Sequence, residues 1–561
     1  MVSERKLHHM LYFLIGLVLV VVANQLINRY PVRFDLTEEK RYSISDASVQ
    51  LLKSLDDVAY VEVYLDGEMP SGFKRLKKAI EETLEDFQFY AGTNVEYKFI
   101  DPSVAKSKQA RNEFYKSLID KGVIATNVNY EKDGNKTQKL IFPGAIISYY
   151  GQEKPVLLLK GNQAASAEER LNQSIEGLEY ELANAIRIMA SDQRKKIGMI
   201  RGHGEPDSLN IAGLNNALLD KYDVYSVDLP NRKKALDAYD ALLIGKPKSA
   251  FSEKEKYKLD QYIMGGGKAL FFLDALQVNM DSALNGEGTI AIPYELNLND
   301  LLFKYGVRIN QNYVQDIVCG NYPVVVGNMG DQANIQPLPW PFFPVVNKFG
   351  EHSIVKNMDA VYMKFASNID TVKAAGIKKT PLLFTSQYSR VLSFPVKVAM
   401  NDLQQSLDPK LFNQGEQAMA YLLEGKFTSM YKNRMLPDFV DKSGFKDTGS
   451  ETAIIVVSDG DMIRNDFSLQ TGEPLELGVD PFTNTTYANR DFIMNSLEYL
   501  LNEDGIISAK AKEIKLRPLD KVKVAEEKTK WQIINLVLPL VVLLLYGIGR
   551  FYYRKKMYAS F

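Results

Sequence analysis

Apolar positions along this chain fall into two patterns: an unbroken apolar run near each end, and between them short apolar stretches alternating with segments whose apolar residues recur every three or four positions. The terminal runs read MLYFLIGLVLVVVANQLI from Met10 to Ile27 and QIINLVLPLVVLLLYGIG from Gln532 to Gly549. Each approaches the ~20 residues needed to cross a hydrocarbon core about 30 Å thick. Pro539 is compatible with the second span, because local backbone adjustment satisfies the freed carbonyl in a membrane helix. For the first run a cleaved signal peptide is the rival reading, since Val21-Val22-Ala23 offers a peptidase small residues.

The interior reads as alternating strands and helices. A short helix over Asp46–Leu55 follows the capping candidates Ser43 and Ser45. Ala59–Leu65 reads as a strand, and Phe73, Leu76, Ile80, Leu84 and Phe87 mark one face of the next helix. Val95–Ile100 reads as a strand and Ala105–Ile119 as a helix with Ala110, Phe114 and Leu118 inward. Gly122–Asn127, Lys139–Tyr149 and Pro155–Leu159 read as further strands. Residues 31–165 are therefore expected to form a first α/β domain of thioredoxin-like arrangement. Leu171, Ile175, Leu178, Leu182, Ile186 and Met189 then stripe a long helix within a connecting segment, 166–194, which either faces one core or bridges domains or copies. Ser191-Asp192-Gln193-Arg194 marks its end.

A second block spans residues 195–515. Ile197–Ile200, Val224–Leu229, Ala241–Ile244 and Ala269–Asp274 read as strands, with helices near Leu209–Leu219 and Glu253–Met264. Short apolar strands alternating with helices predict a doubly wound, mainly parallel sheet. Ile454–Ser458 reads as a further central strand, returning after an insertion at about 276–452 whose Pro-rich and aromatic sequence obscures any period. A helix through Phe492, Leu497 and Leu500 closes the block. Residues 516–561 then hold a charged stalk, Leu519–Lys530, the second span and a basic tail; residues 1–30 hold the amino-terminal tip and first span.

Charge and composition narrow the function. Lys plus Arg number 68 against 69 for Asp plus Glu, which leaves no basic excess for nucleic acid. The single cysteine, Cys319, excludes an internal disulfide framework and any zinc site built from several thiolates. With four histidines, two of them His8 and His9 beside the first span, a multi-histidine metal centre is not expected either. Arg5 and Lys6 before the first span, and Arg550, Arg554, Lys555 and Lys556 after the second, put both termini in the cytoplasm. Arg29, Arg33, Lys528 and Lys530 flank the same spans on the far side, but long loops translocate largely regardless of charge. Trp531 and Tyr546 suit the membrane interfaces, with Arg550 as a third anchor. The bulk of the chain is then extracytoplasmic, which in a bacterial inner membrane means periplasmic.

Candidate chemistry lies in the loops. Gly265-Gly266-Gly267-Lys268 lacks the G-x-x-x-x-G-K-[ST] spacing of a phosphate loop and precedes a strand, so it reads as a helix end. No other Walker motif occurs, and any ATP hydrolysis belongs to a partner. The sheet pattern resembles glutamine-amidotransferase-like folds, but Cys319 in Val-Cys-Gly-Asn-Tyr lacks their strand-to-helix turn and reads as a structural thiol. Loops after parallel strands gather at one sheet edge, which draws His203, Glu205, Asp274, Asp459 and Asp461 towards one crevice where a ligand can bind. The alternative is that these residues only build turns and caps.

Several segments together resemble a known family. They are Arg33-Phe-Asp-Leu-Thr-Glu-Glu-Lys-Arg-Tyr-Ser-Ile-Ser45, IGMIRGHGE at 197–205, YLLEGKFTS at 421–429, VVSDGDMI at 456–463 and the final span. In this order over nearly the whole chain they resemble the GldG family of gliding-motility-associated ABC-transporter auxiliary proteins. The resemblance implies a non-catalytic, cofactor-free component working with a polytopic ABC permease subunit and a cytoplasmic ATPase in bacteria of the Bacteroidota type. A glycan-binding protein or enzyme using the crevice, and a homodimeric scaffold, are the competing readings.

Overall fold

The computed structural model describes residues 4–29, 43–104, 107–132, 135–160, 166–191, 194–232, 235–284, 288–329, 332–400, 408–435, 444–501, 505–511 and 521–558. Outside them lie Arg33–Tyr42 of the first motif, Ala105 at the expected helix start, Asp192 and Gln193 of the expected boundary, and Leu519. Residues 1–512 form one compact unit and residues 513–561 another.

In the first unit, α1 spans Glu4–Arg29 and α2 spans Asp46–Lys53, whose start is capped by the Ser45 hydroxyl accepting the Ser48 N–H. A four-stranded sheet follows, built from β1 (Ala59–Val63), β2 (Val95–Phe99), β5 (Gly144–Tyr149) and β6 (Gln152–Leu157) in the order β2-β1-β5-β6. β1 and β2 are parallel, joined through α3 (Ser71–Ala91), while β5 is antiparallel to both β1 and β6. All five predicted face residues of α3, Phe73 to Phe87, are buried. After α4 (Lys108–Asp120), β3 (Thr126–Lys132) and β4 (Asn135–Ile141) form a separate hairpin. Two expectations change here. The single strand expected over Lys139–Tyr149 is split at Phe142-Pro143, because proline has no N–H to continue a ladder. On α4 only Leu118 of the expected stripe is fully buried.

The long helix α5 (Ala167–Ala190) opens with a reciprocal capping box, in which Ser166 and Glu169 each accept the other's backbone N–H. Leu171, Leu178, Leu182 and Ile186 bury into the core of the first sheet. Ile506, Ile507 and Ala509 join that same core, although they follow the second sheet in sequence.

The second sheet begins with β7 (Lys196–Arg201), α6 (Ala212–Leu219), β8 (Asp223–Asp228), β9 (Ala241–Gly245), α7 (Glu253–Met264) and β10 (Lys268–Phe272). Every residue of β9 is buried, as expected of a central parallel strand. Gly265 caps α7 and Gly266 takes φ +94, so the triple glycine is a helix end. The insertion is rich in strands and holds α8 (Asn299–Tyr305), β11 (Val307–Ile309), β12 (Asn312–Asp316), a long hairpin of β13 (Cys319–Met329) and β14 (Gln332–Val346), β15 (Lys348–Phe349), β16 (Ile369–Thr371), β17 (Ile377–Phe384), β18 (Ser389–Ser393) and β19 (Ala418–Thr428). β20 (Thr448–Val457) then returns to the sheet, and α9 (Asn489–Leu501) packs upon it. The order is β15-β17-β19-β20-β10-β9-β7-β8; β20, β10, β9, β7 and β8 run parallel and the remaining three are antiparallel. Part of the insertion thus extends the sheet itself. Cys319 begins β13, away from any strand-to-helix turn, and burial pushes its thiol up to about 12, which leaves it unreactive.

In the second unit, α10 spans Lys521–Tyr558. Its segment Glu527–Met557 is, among the described residues, the one helix long and apolar enough to cross a membrane. The apolar stretch described within α1, Leu11–Val22, is shorter.

Candidate functional site at the carboxyl edge of the second sheet

The parallel strands run β8-β7-β9-β10-β20, so β7 and β9 are neighbours whose connections leave in opposite directions, the arrangement that opens a crevice at their carboxyl ends. The loop after β7 starts at Gly202, with φ +114; a Cβ there would lie 2.5 Å from Pro230 Cδ, so only glycine fits. Glu205 Oε2 accepts the N–H groups of Gly202 (3.0 Å) and His203 (2.9 Å). The His203 ring, 2 % exposed, stacks on Phe251 at 3.7 Å. Its Nδ1 is 3.3 Å from Glu205 Oε1 and its Nε2 is 3.4 Å from Glu255 Oε2. Glu255 is in turn committed to the start of α7, where its Oε2 accepts the Ser252 N–H and hydroxyl at 2.6 Å each. Burial works against a charged ring, but the hydrogen bonds and charges of Glu205 and Glu255 outweigh it and raise the His203 pKa. The His203 carbonyl also accepts the Lys248 and Ser249 N–H groups, tying this loop to the one after β9.

A second group sits where β9, β10 and β20 end. Lys246 follows β9 in a left-handed conformation, φ +49, and sends its Nζ to 2.5 Å from Asp274 Oδ2 and 2.7 Å from Asp461 Oδ2. Arg464 Nη1 lies 2.8 Å from Asp461 Oδ1. Asp274 Oδ1 accepts the Gly460 N–H, and Asp459 accepts those of Asp461 and Lys364, both at 2.7 Å. Burial, opposed by the Lys246 and Arg464 charges, leaves Asp461 held down at about 2. Burial together with the Asp461 and Asp274 charges raises Asp459. Asp274, Asp459 and Asp461 each offer an oxygen within 4.8 Å of the others, a donor set of the kind hard cations use. Here the ammonium of Lys246 already contacts two of them.

The five residues expected from sequence therefore divide into two groups, His203 with Glu205 and Asp274 with Asp459 and Asp461, on adjoining loops. Lys246, Glu255 and Arg464 were not anticipated. Lys246 had a readable signal, since it directly follows a fully apolar strand at the same edge. Glu255 is the third residue of a capping box and was hidden by that commonplace role.

A domain of unknown function, DUF7088, matches residues 38–148. A Borreliella burgdorferi protein named "Uncharacterized protein" is 20 % identical over 549 residues, covering 93 % of this chain and 94 % of its own. A solved structure, "mmIFT52 N-terminal domain", aligns at 14 % identity over 55 % of this chain and 99 % of its own, but with a TM-score of 0.29 it carries no argument. The profile described as an ABC-type uncharacterized transport system, of the auxiliary class, matches residues 194–496, more than half of the 561 residues and the whole parallel sheet with its insertion. This protein belongs to the auxiliary family of ABC-type transport systems.

Proposed function

We propose that this protein is a non-catalytic, membrane-anchored subunit that couples a polytopic ABC permease and a cytoplasmic ATPase to an extracytoplasmic assembly used in gliding or export. One observation carries the non-catalytic part. At the edge where a doubly wound sheet would seat a ligand, the available carboxylates are spent on Lys246, Arg464 and backbone N–H groups, and His203 is closed between Phe251, Glu205 and Glu255. A filled edge favours a scaffold over an enzyme acting through these loops.

The anchoring part rests on α10, whose apolar segment carries Trp531, Tyr546 and Arg550 near its ends. The basic residues outside both apolar runs support cytoplasmic termini, with the α/β region periplasmic. We read the first sheet as thioredoxin-like, supported by the order β2-β1-β5-β6 with β5 reversed; with Cys319 the sole cysteine, the first sheet has no thiol for redox chemistry. Membrane helices associate by packing and interhelical hydrogen bonds, which is how α10 would dock on a permease.

The test is extraction of the tagged full-length chain from its native membrane in mild detergent, with mass spectrometry of what co-purifies. A permease and an ATPase are the expected companions. A clean homomer overturns the proposal and favours the homodimeric scaffold.

A further inference from the structure

Away from the crevice, the insertion encloses a wide-mouthed groove of about 960 Å³ between α8, β11 with the turn after it, β16, the end of β18 and Arg434. That volume is at the upper end of the ~300–1,000 Å³ usual for ligand sites. Its lining is unusual, because among the described residues Phe303 and Ile309 are its only apolar side chains. Part of its polar lining is held in place. Arg308 Nη2 pairs with Asp370 Oδ2 at 2.8 Å, and the amides of Asn310 and Asn312 both donate to Asn368 Oδ1, at 2.8 and 2.7 Å. Groups already fixed lose little freedom on binding.

We propose that this groove binds a short acidic oligosaccharide, which goes beyond the auxiliary-subunit reading by giving the extracytoplasmic region a ligand of its own. Three features select that chemistry. First, the exposed amides of Asn299 and Gln311 and the exposed guanidinium of Arg434 line the groove and offer paired hydrogen bonds to the neighbouring hydroxyls of a sugar ring. Second, Phe303 projects from α8 with 51 % of its surface exposed, a flat apolar face for the C–H side of a pyranose. A peptide would instead seek apolar pockets for anchoring side chains, and this lining offers none. Third, the charges do not balance. Asp370 is neutralised by Arg308, and both oxygens of Asp300 accept the buried Lys256 ammonium at 3.0 and 2.9 Å. Lys304 and Arg434 also line the groove and make no ion pair among the described residues, which leaves an excess of positive charge for a carboxylated ligand.

Full-length protein in lipid nanodiscs, titrated calorimetrically with tetragalacturonate, tests this directly. Saturable binding of one ligand per chain is expected, weakened about tenfold or more both in Phe303→Ala and in the double variant Lys304→Gln/Arg434→Gln, with the thermal midpoint unchanged. All three side chains are on the surface of the groove, so the variants leave the core intact. Absence of saturable binding overturns the proposal, as does affinity unchanged in both variants. Equal affinity for tetraglutamate would assign the groove to acidic peptides, and equal affinity for maltotetraose would remove the role of charge; either result overturns it. Permease and ATPase recovery does not enter this titration, so the two proposals can fail separately.

Discussion

Lys246 and Asp461, 215 residues apart in sequence, meet at 2.7 Å because β9 and β20 both deliver their carboxyl ends to one edge of the sheet. Removing the ammonium would leave Asp274 and Asp461 buried without their shared cation. Lys246→Met is expected to lose about 3–5 kcal/mol of unfolding free energy, as other broken buried ion pairs do. Urea denaturation measures this, and a loss below about 1 kcal/mol would show that the cluster is not held by that charge. Asp461 adds an acid limit. Its folded pKa, about 2, is below the unfolded value of about 3.9, so its contribution is complete above the unfolded value and disappears as pH falls through the folded one.

His203 gives the opposite pH dependence. Its pKa is raised in the fold, so its stabilisation is complete below the unfolded pKa of about 6.5 and is lost as pH rises through the folded value. The stability gap between wild type and His203→Gln should therefore be wider at about pH 6 than at about pH 9. A gap that is constant across this range would mean that only Phe251 stacking matters.

Glu498, 2 % exposed on α9, accepts the Tyr180 hydroxyl at 2.5 Å and pairs with Arg187 at 3.1 Å, both from α5. Lys221, just beyond α6, approaches it at 3.7 Å. One carboxylate thus joins the helix buried on the first sheet to helices on the second. Glu498→Ala is expected to cost about 3–5 kcal/mol and to split a single calorimetric unfolding peak into two. One unchanged peak would show that apolar contacts suffice to couple the two sheets.

Gly425 explains part of the YLLEGKFTS segment. It lies in β19 at φ +137, and a Cβ there would be 2.1 Å from the Gly376 carbonyl oxygen, a backbone atom that cannot swing aside. Gly425→Ala should destabilise by about 1–3 kcal/mol, read as a lowered denaturation midpoint at unchanged slope. A neutral result would require β17 and β19 to separate without cost.

Where the periodicity was strong, the sequence alone placed the element. The Phe73–Phe87 stripe became α3, the apolar run Ala241–Ile244 became central strand β9, and the triple glycine became the end of α7. Such features are local: they depend on which face of one helix or strand is apolar, and neighbouring residues encode that directly. The insertion resisted the same reading because several of its strands are short and pair with distant partners, as in β12 with β18, and because prolines interrupt the alternation in its long hairpin.

The sequence likewise determined the apolar run that became α10, the near balance of charge and the absence of a thiol framework, since these depend on composition and length. Only the tertiary structure decided what the carboxylates do. Aspartate and glutamate after parallel strands read equally well as ligands or as caps, and their roles depend on what the fold brings within about 3 Å. At this edge it brings Lys246 to Asp274 and Asp461, and Glu255 to His203. The physical reason is that charge pairing acts across space, between chain segments whose separation in sequence carries no signal of their contact.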